Sequence, residues 1–251
     1  MPAEKADAIV LRTVEFSETS LVVTLFSREF GKLRGLAKGG RRLKGPFESA
    51  LDLLAHVRVV FLRKSPETLN LLTEAKLVRR FRIPGRDLSA LYAAYYVAEL
   101  LGELTDDYDP HPQLFDLAEE TLVALSAAEP VLRRLVRFEL GALRILGHLP
   151  SLERCIDCGT EVSATGQMAF ALLDGGVVCA ECRPGKSQVV TLSAGAVRLM
   201  GALADPANRL WQRLTIDPQR RAELRRVLDQ YVAHLLGHRP RMHTYLNHLT
   251  S

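Results

Sequence analysis

Five segments within the first 81 residues decide the fold: AIVLRTV (8–14), SLVVTLFS (20–27), GKLRGLAKG (31–39), AHVRVVFLRK (55–64) and LNLLTEAKLVRRF (69–81). Each is rich in β-branched residues or alternates apolar with polar, which is the period of a half-buried strand. Turn-forming breaks separate them at Phe16-Ser17-Glu18, Glu29-Phe30-Gly31, Gly45-Pro46 and Ser65-Pro66. Five short strands in so few residues suit a small barrel. A five-stranded OB-fold fits, an SH3-like barrel fits almost as well, and spacing does not separate them.

After Pro84-Gly85 the texture becomes helical, so the class is α+β. Asp87 is placed to cap a helix reaching Leu104, with Leu88, Leu91, Tyr95, Ala98 and Leu101 on one face. An acidic loop, TDDYDPHP (105–112), precedes a second helix over 113–127. Pro130 opens a third helix that carries Arg133, Arg134, Arg137 and Arg144 and stops at Gly147. Ser193 caps a helix over 194–204, and a last helix runs from Pro218 to Leu236. The expected organisation is a barrel domain over 1–83 and a helical domain over 84–251, interrupted by a cysteine module at 152–184.

The bulk numbers exclude several classes. Of 251 residues, 47% are hydrophobic and 25% charged, as in soluble globular proteins. The N-terminus, MPAEKADAIVLRT, has no basic start and no apolar signal core, and no apolar run approaches a membrane span. The expectation is a cytoplasmic protein without membrane attachment. Charge is unevenly placed. Residues 1–86 hold 17 Lys+Arg against 9 Asp+Glu, whereas residues 87–150 hold 4 against 11. That asymmetry points to an anion met by the N-terminal third.

The four cysteines of the chain, Cys155, Cys158, Cys179 and Cys182, read C-x2-C, 20 residues, C-x2-C. Two cysteines separated by two residues both reach one ion from a tight turn, and two such turns complete a tetrahedral thiolate site. The glycines at 175 and 176 divide an apolar stretch into a hairpin that delivers the second pair. One structural zinc is expected. An iron–sulfur cluster uses the same ligands and is not separated by spacing. Between the outer cysteines, residues 155–182 hold Asp157, Glu161, Asp174 and Glu181 and no Lys or Arg, so that segment is not built to grip phosphate.

The candidate anion site lies earlier. Between Arg28 and Lys44 stand seven cations and one acid. On an unbroken strand Lys32, Arg34 and Lys38 share one face, and Gly39-Gly40 leads into a loop bearing Arg41, Arg42 and Lys44. Arg63 and Arg80, with Lys64, Lys76, Arg79 and Arg82, extend the patch if neighbouring strands gather them. Such a surface neutralises phosphates and releases counterions. The first 86 residues hold six Phe and no Tyr or Trp, and most of those Phe belong in a core. Contact with the backbone of single- and double-stranded DNA is therefore expected over base stacking.

Enzymatic motifs are missing. Ala180 to Ser187 loosely matches a P-loop, but Cys182 lies inside it, Pro184 removes an amide, and a strand-like segment follows. No GxGxxG, HExxH or GxSxG occurs. The acidic residues Asp106, Asp107 and Asp109 are of a type that binds a cation, but a solvated loop is the stronger reading, and four of the seven histidines crowd the C-terminal tail as a solvated helix end. A non-enzyme is expected. The apolar grooves of the helical domain are candidate docking sites for a protein tail, steered by Arg133, Arg134 and Arg137 or by Arg220, Arg221, Arg225 and Arg226. Two competing readings are a zinc-ribbon transcription or translation factor that binds RNA or a polymerase, and a hydrolase using an ion in the acidic loop at Asp106 and Asp109.

Ala8-Ile-Val-Leu-Arg12, Glu18-Thr-Ser-Leu-Val-Val-Thr-Leu-Phe26, Gly31-Lys-Leu33 and Ala37-Lys-Gly-Gly-Arg-Arg42 together resemble the opening of the bacterial recombination-mediator family RecO. The cysteine module and His234-Leu-Leu-Gly-His-Arg239 fit that family in order and position. The resemblance implies an N-terminal OB-fold, a helical domain with an embedded zinc module, and a role in DNA repair and recombination. It further implies annealing of complementary strands without ATP, and partners in RecR, single-stranded-DNA-binding protein and, indirectly, RecA. A cytoplasmic, nucleoid-associated protein follows. Two departures stand out: Lys44-Gly-Pro46 where relatives often carry a Lys-Ser-Arg-like run, and His243-Thr244 where Ser-Arg is common.

Overall fold

The computed structural model describes residues 3–42, 44–47, 50–64, 68–85 and 88–246. The Ser65-Pro66 break, the Asp87 cap and His248 lie outside them. The chain forms two compact units, Met1–Glu129 and Pro130–Ser251.

In the first unit, β1 (Ala3–Glu15), β2 (Leu21–Ser27), β3 (Gly31–Ala37), β4 (His56–Leu62) and β5 (Asn70–Arg79) close a barrel in the order β1-β2-β3-β5-β4. This is the OB-fold order, and it resolves the choice that spacing leaves open. β1 makes closure possible because it serves two partners. Its first half pairs with β4, from Ala3 opposite Leu62 to Ile9 opposite His56. Its second half pairs with β2. The register slips between Val10 and Arg12, a bulge that bends the strand between its partners. The parallel pairing of β3 with β5, from Gly35 opposite Asn70 to Ala37 opposite Leu72, completes the ring.

Alternation fills the interior. Ala8, Val10, Val23, Leu25, Leu33, Val57, Val59, Phe61 and Leu72 form the barrel core, and Phe47, Ala50 and Leu51 from the β3–β4 connection join it. Helices α1 (Ser89–Leu104) and α2 (Pro112–Ser126) pack on each other and on strands β1 and β2. They therefore belong to the first compact unit, although the change from strand to helix falls near residue 83.

The second unit holds α3 (Val131–Ile145), the small sheet β7-β6-β8, α4 (Ala194–Ala204), a 3-10 turn at Leu210–Arg213, α5 (Pro218–Leu236) and the short α6 (His243–Leu246). Strands β6 (Gln167–Ala171) and β7 (Gly176–Val178) are the expected hairpin, and β8 (Val189–Ser193) adds to the free side of β6. Ser193 accepts a hydrogen bond from the Ala196 amide at 3.2 Å, and Asp217 caps α5 through the Arg220 amide at 3.0 Å. Leu140, Leu143, Phe170, Val197, Met200, Trp211, Leu224 and Leu228 make one core. Among the described residues no helix is long and apolar enough to cross a membrane.

Candidate nucleic-acid rim and metal centre

The rim is built where the β1–β2 turn meets the β3–β4 loop. Leu21, opening β2, pairs with Ala37, closing β3, so both connections leave the same end of the barrel. The Arg41 amide donates to the Thr19 carbonyl at 3.1 Å, and its guanidinium lies 3.1 Å from the Glu15 carboxylate. The Gly40 and Arg42 amides donate to the Ala37 and Gly39 carbonyls, which coils the loop into tight turns. Lys38, Arg41, Arg42 and Lys44 are exposed, and among the described residues only Arg41 of these four is in an ion pair. Three cations are thus held at one end of the barrel with no ion-pair partner among the described residues.

The other residues read as one patch divide differently. Lys32 is turned into the fold. Its ammonium donates to the Gly102 carbonyl at 2.8 Å and the Thr105 carbonyl at 2.6 Å, so it neutralises the C-terminal end of α1. Arg34 remains half-exposed but pairs with Asp107 at 3.0 Å. Arg63 stacks on the Tyr108 ring at 4.8 Å. Arg80 pairs with Asp52 at 3.1 Å. It also lies at the far end of β5, eight residues beyond Leu72, or about 25 Å along an extended strand.

The acidic loop is not simply solvated. The Tyr108 amide donates to the Lys32 carbonyl at 3.0 Å, and the Tyr108 hydroxyl and Asn70 side chain are hydrogen-bonded at 2.7 Å. Asp107 sits between Lys32 and Arg34, and Asp109 bonds His111 at 2.9 Å. The loop closes on β3 because residue 31 is glycine, with φ of 68°. A Cβ there would stand 2.1 Å from the Asp109 carbonyl oxygen.

Several arginines of the helical unit are also engaged within it. Arg134 and Arg137 lie over Trp211 at 4.6 and 4.4 Å. Arg133 bonds the Leu214 carbonyl at 3.3 Å and Arg137 the Leu203 carbonyl at 2.8 Å. Arg225 is buried against Glu139 and Asp229, Arg220 pairs with Asp217, and Arg226 bonds the Thr191 carbonyl. Steering an acidic partner is therefore corrected to an internal, structural use for Arg133, Arg134, Arg137 and Arg225, whereas Arg220 and Arg226 stay exposed while bonded within the unit.

The four cysteines converge. In the first knuckle the Gly159 amide donates to the Cys155 carbonyl at 2.9 Å, and the Cys155 amide donates to the Thr160 carbonyl at 2.8 Å. Gly159 has φ of 72°, a conformation glycine adopts without strain. In the second, the Arg183 amide donates to the Cys179 carbonyl at 3.1 Å. All four sulfurs lie within 4.8 Å of one another. Sulfurs placed tetrahedrally ~2.3 Å from one ion would stand ~3.8 Å apart. Cys158 Sγ and Cys179 Sγ are 3.8 Å apart, so the donor set fits a metal ion.

The local field fits as well. The backbone amide of Cys158, then those of Cys179 and Asp157, hold the Cys155 thiol down to about 6. Hydrogen bonds with Cys179 and Cys158 push the Cys182 thiol up to about 12. A bound dication takes all four sulfurs as thiolates, so its binding would release the protons that remain. Lys186 braces the site: its ammonium bonds Asp157 of the first knuckle at 2.7 Å and Asp174 of the hairpin tip at 3.0 Å. Those two carboxylates raise its pKa. No spacing rule singles out Lys186; the loose phosphate-loop match is the only sequence signal that falls on it.

A closed OB-fold barrel with a basic rim, joined to a helical unit carrying a four-cysteine centre, defines a class of OB-fold protein with a separate metal-capable module. The profile described as "Recombination protein O N terminal" matches residues 1–81, and that described as "Recombination protein O C terminal" matches residues 85–244. The chain belongs to this family, RecO. It is 41% identical to the DNA repair protein RecO of Rhodopirellula baltica, over 95% of this chain and 97% of that protein. It is 34% identical to the DNA repair protein RecO of Anaeromyxobacter dehalogenans, over 99% and 98%. The DNA repair protein RecO of Bacillus pumilus is 29% identical over 98% and 94%.

Proposed function

We propose that the protein is a DNA repair and recombination mediator that binds single- and double-stranded DNA and anneals complementary strands without ATP. The observation that carries this reading is the rim: Lys38, Arg42 and Lys44 are exposed and unpaired among the described residues, on a loop stitched to the β1–β2 turn by Arg41. Cations held in that way neutralise phosphates on each of two strands and lower the repulsion that opposes their meeting. The mechanism makes and breaks no covalent bond, so no residue is given a catalytic role. Arg34, Arg63 and Arg80 contribute secondary phosphate contacts, because each already has a protein partner, and Lys32 supports the strand from beneath.

Residues 1–83 are the DNA-binding domain on this reading. The helical domain over 84–251 carries, at 152–184, one zinc ion bound by Cys155, Cys158, Cys179 and Cys182. Four thiolates fill a tetrahedral shell and leave no position for substrate, so the zinc orders the module and does no chemistry. With RecR and single-stranded-DNA-binding protein as partners, the protein helps to load RecA in a cytoplasmic, nucleoid-associated setting, as its family membership suggests.

The test is annealing of two complementary labelled oligonucleotides by the zinc-loaded protein without ATP. Annealing faster than the spontaneous rate supports the reading. Failure to anneal, with selective binding of a structured RNA, would replace it with the zinc-ribbon factor.

A further inference from the structure

We propose that Phe16 is a base-stacking residue for single-stranded DNA, set on the β1–β2 turn beside the basic rim. The inference rests on the reading that the rim binds DNA, and it adds a preference for unpaired strands.

Phe16 is 64% exposed. The other described Phe and Tyr side chains of the barrel unit are buried or half-buried. Its ring adds nothing to the barrel core, yet its backbone is fixed. The Phe16 amide donates to the Ser20 carbonyl at 3.0 Å, and the Ser17 amide shares that acceptor at 3.4 Å. Val14, just before it on β1, is 43% exposed and widens the apolar surface. The turn is tied to the cationic loop through Arg41, whose amide bonds Thr19 and whose guanidinium pairs with Glu15. The β2–β3 register brings Leu21 and Ala37 opposite each other, so the aromatic turn and Lys38 leave the sheet at one end.

An exposed π-face next to unpaired cations has a defined complement: a flat, apolar-faced group on an anionic chain. An unpaired nucleobase between phosphates has that chemistry. A duplex does not offer it, because its base faces are already stacked. A ring on a fixed turn loses little freedom when a base settles on it, and the neighbouring Lys38, Arg42 and Lys44 are placed to take the flanking phosphates.

The experiment measures anisotropy-based affinity for three labelled ligands: an oligothymidylate, a duplex of equal length and a chain of equal length with abasic sugars. Intact protein is compared with Phe16→Ala, Phe16→Leu and Phe16→Trp. Phe16→Ala and Phe16→Leu should each weaken oligothymidylate binding about tenfold, within the range for one stacked base, and leave the duplex and the abasic chain unaffected. Phe16→Trp should retain full affinity. Equal losses on all three ligands would mean that the ring only shapes the loop, and would overturn the proposal. Unchanged oligothymidylate binding by Phe16→Ala would overturn it too and leave the ring as a protein contact. If the intact protein bound none of the three, the DNA-binding reading itself would fall, an outcome separate from the failure of Phe16 alone. Because Phe16→Trp keeps the turn filled, the comparison stays decisive even if Phe16→Ala lowers stability.

Discussion

The Arg225 guanidinium and the Glu139 carboxylate meet at 2.7 Å, with side chains 2% and 0% exposed. The pair joins α5 to α3 inside the helical unit, and Arg225 also engages Asp229. Breaking such a pair from one side leaves a buried charge without this partner, which costs about 3–5 kcal/mol. We expect Arg225→Met to lower stability by that order in urea unfolding followed by the single tryptophan, Trp211, which is buried in the same unit. Adding Glu139→Gln should restore part of the loss. An unchanged midpoint for Arg225→Met would show that the pair contributes nothing.

Gly31 gives a second test, in the barrel unit. A Cβ at this position would stand 2.1 Å from the Asp109 carbonyl oxygen, with φ already at 68°. Left-handed strain and forced repacking together cost about 2–4 kcal/mol. Gly31→Ala should therefore destabilise the unit by that amount in thermal unfolding followed by circular dichroism. Wild-type stability would mean that the acidic loop does not close on β3 as described.

The metal site predicts stoichiometry. Elemental analysis should find one zinc per chain, and Cys179→Ala should lose it. Metal loss should lower the unfolding midpoint reported by Trp211 and leave oligonucleotide binding by the rim largely intact, because the rim cations and the thiolates lie in different compact units. Abolition of DNA binding by Cys179→Ala with the barrel still folded would move the DNA-binding surface onto the module.

Lys186 should hold the metal site closed without touching the metal. Partners behind the ligands typically change metal affinity about 10–100-fold. Lys186→Met, which loses both Asp157 and Asp174, should speed zinc release to a chromogenic chelator by about tenfold, with Lys186→Arg intermediate. Equal release rates for all three proteins would reduce Lys186 to a surface cation.

Much of this molecule is legible in its sequence. The five barrel strands can be read because their alternation is local, and Ser193 marks a helix start because capping is local too. The metal cluster follows from two short spacings. What escapes depends on distant partners. The parallel β3–β5 pairing has no local signal, so the sequence leaves the kind of barrel open. The charge asymmetry suggests an external anion, but much of it is met internally. Lys32 and Arg34 meet Asp107, Arg28 meets Asp116, and Arg79 meets Glu119. Residues 1–129 in fact hold 17 Lys+Arg against 19 Asp+Glu, so the unit is polarised and not basic overall. In α5, buried Arg225 has the same sequence appearance as its exposed neighbours. Phe16 looks like the core phenylalanines around it, because composition does not tell a turn ring from a strand ring.

The most direct test of the proposed DNA-binding role of the rim is the salt dependence of oligonucleotide affinity, comparing the intact protein with a variant carrying Lys38, Arg41, Arg42 and Lys44 changed to Ala. On single strands the slope of log affinity against log salt should flatten by about 0.7 for each phosphate that is no longer neutralised. Arg80→Ala, at the other end of β5, should flatten it by no more than one such step. A rim variant with the slope of the intact protein would contradict the assignment and require the phosphates to be bound elsewhere.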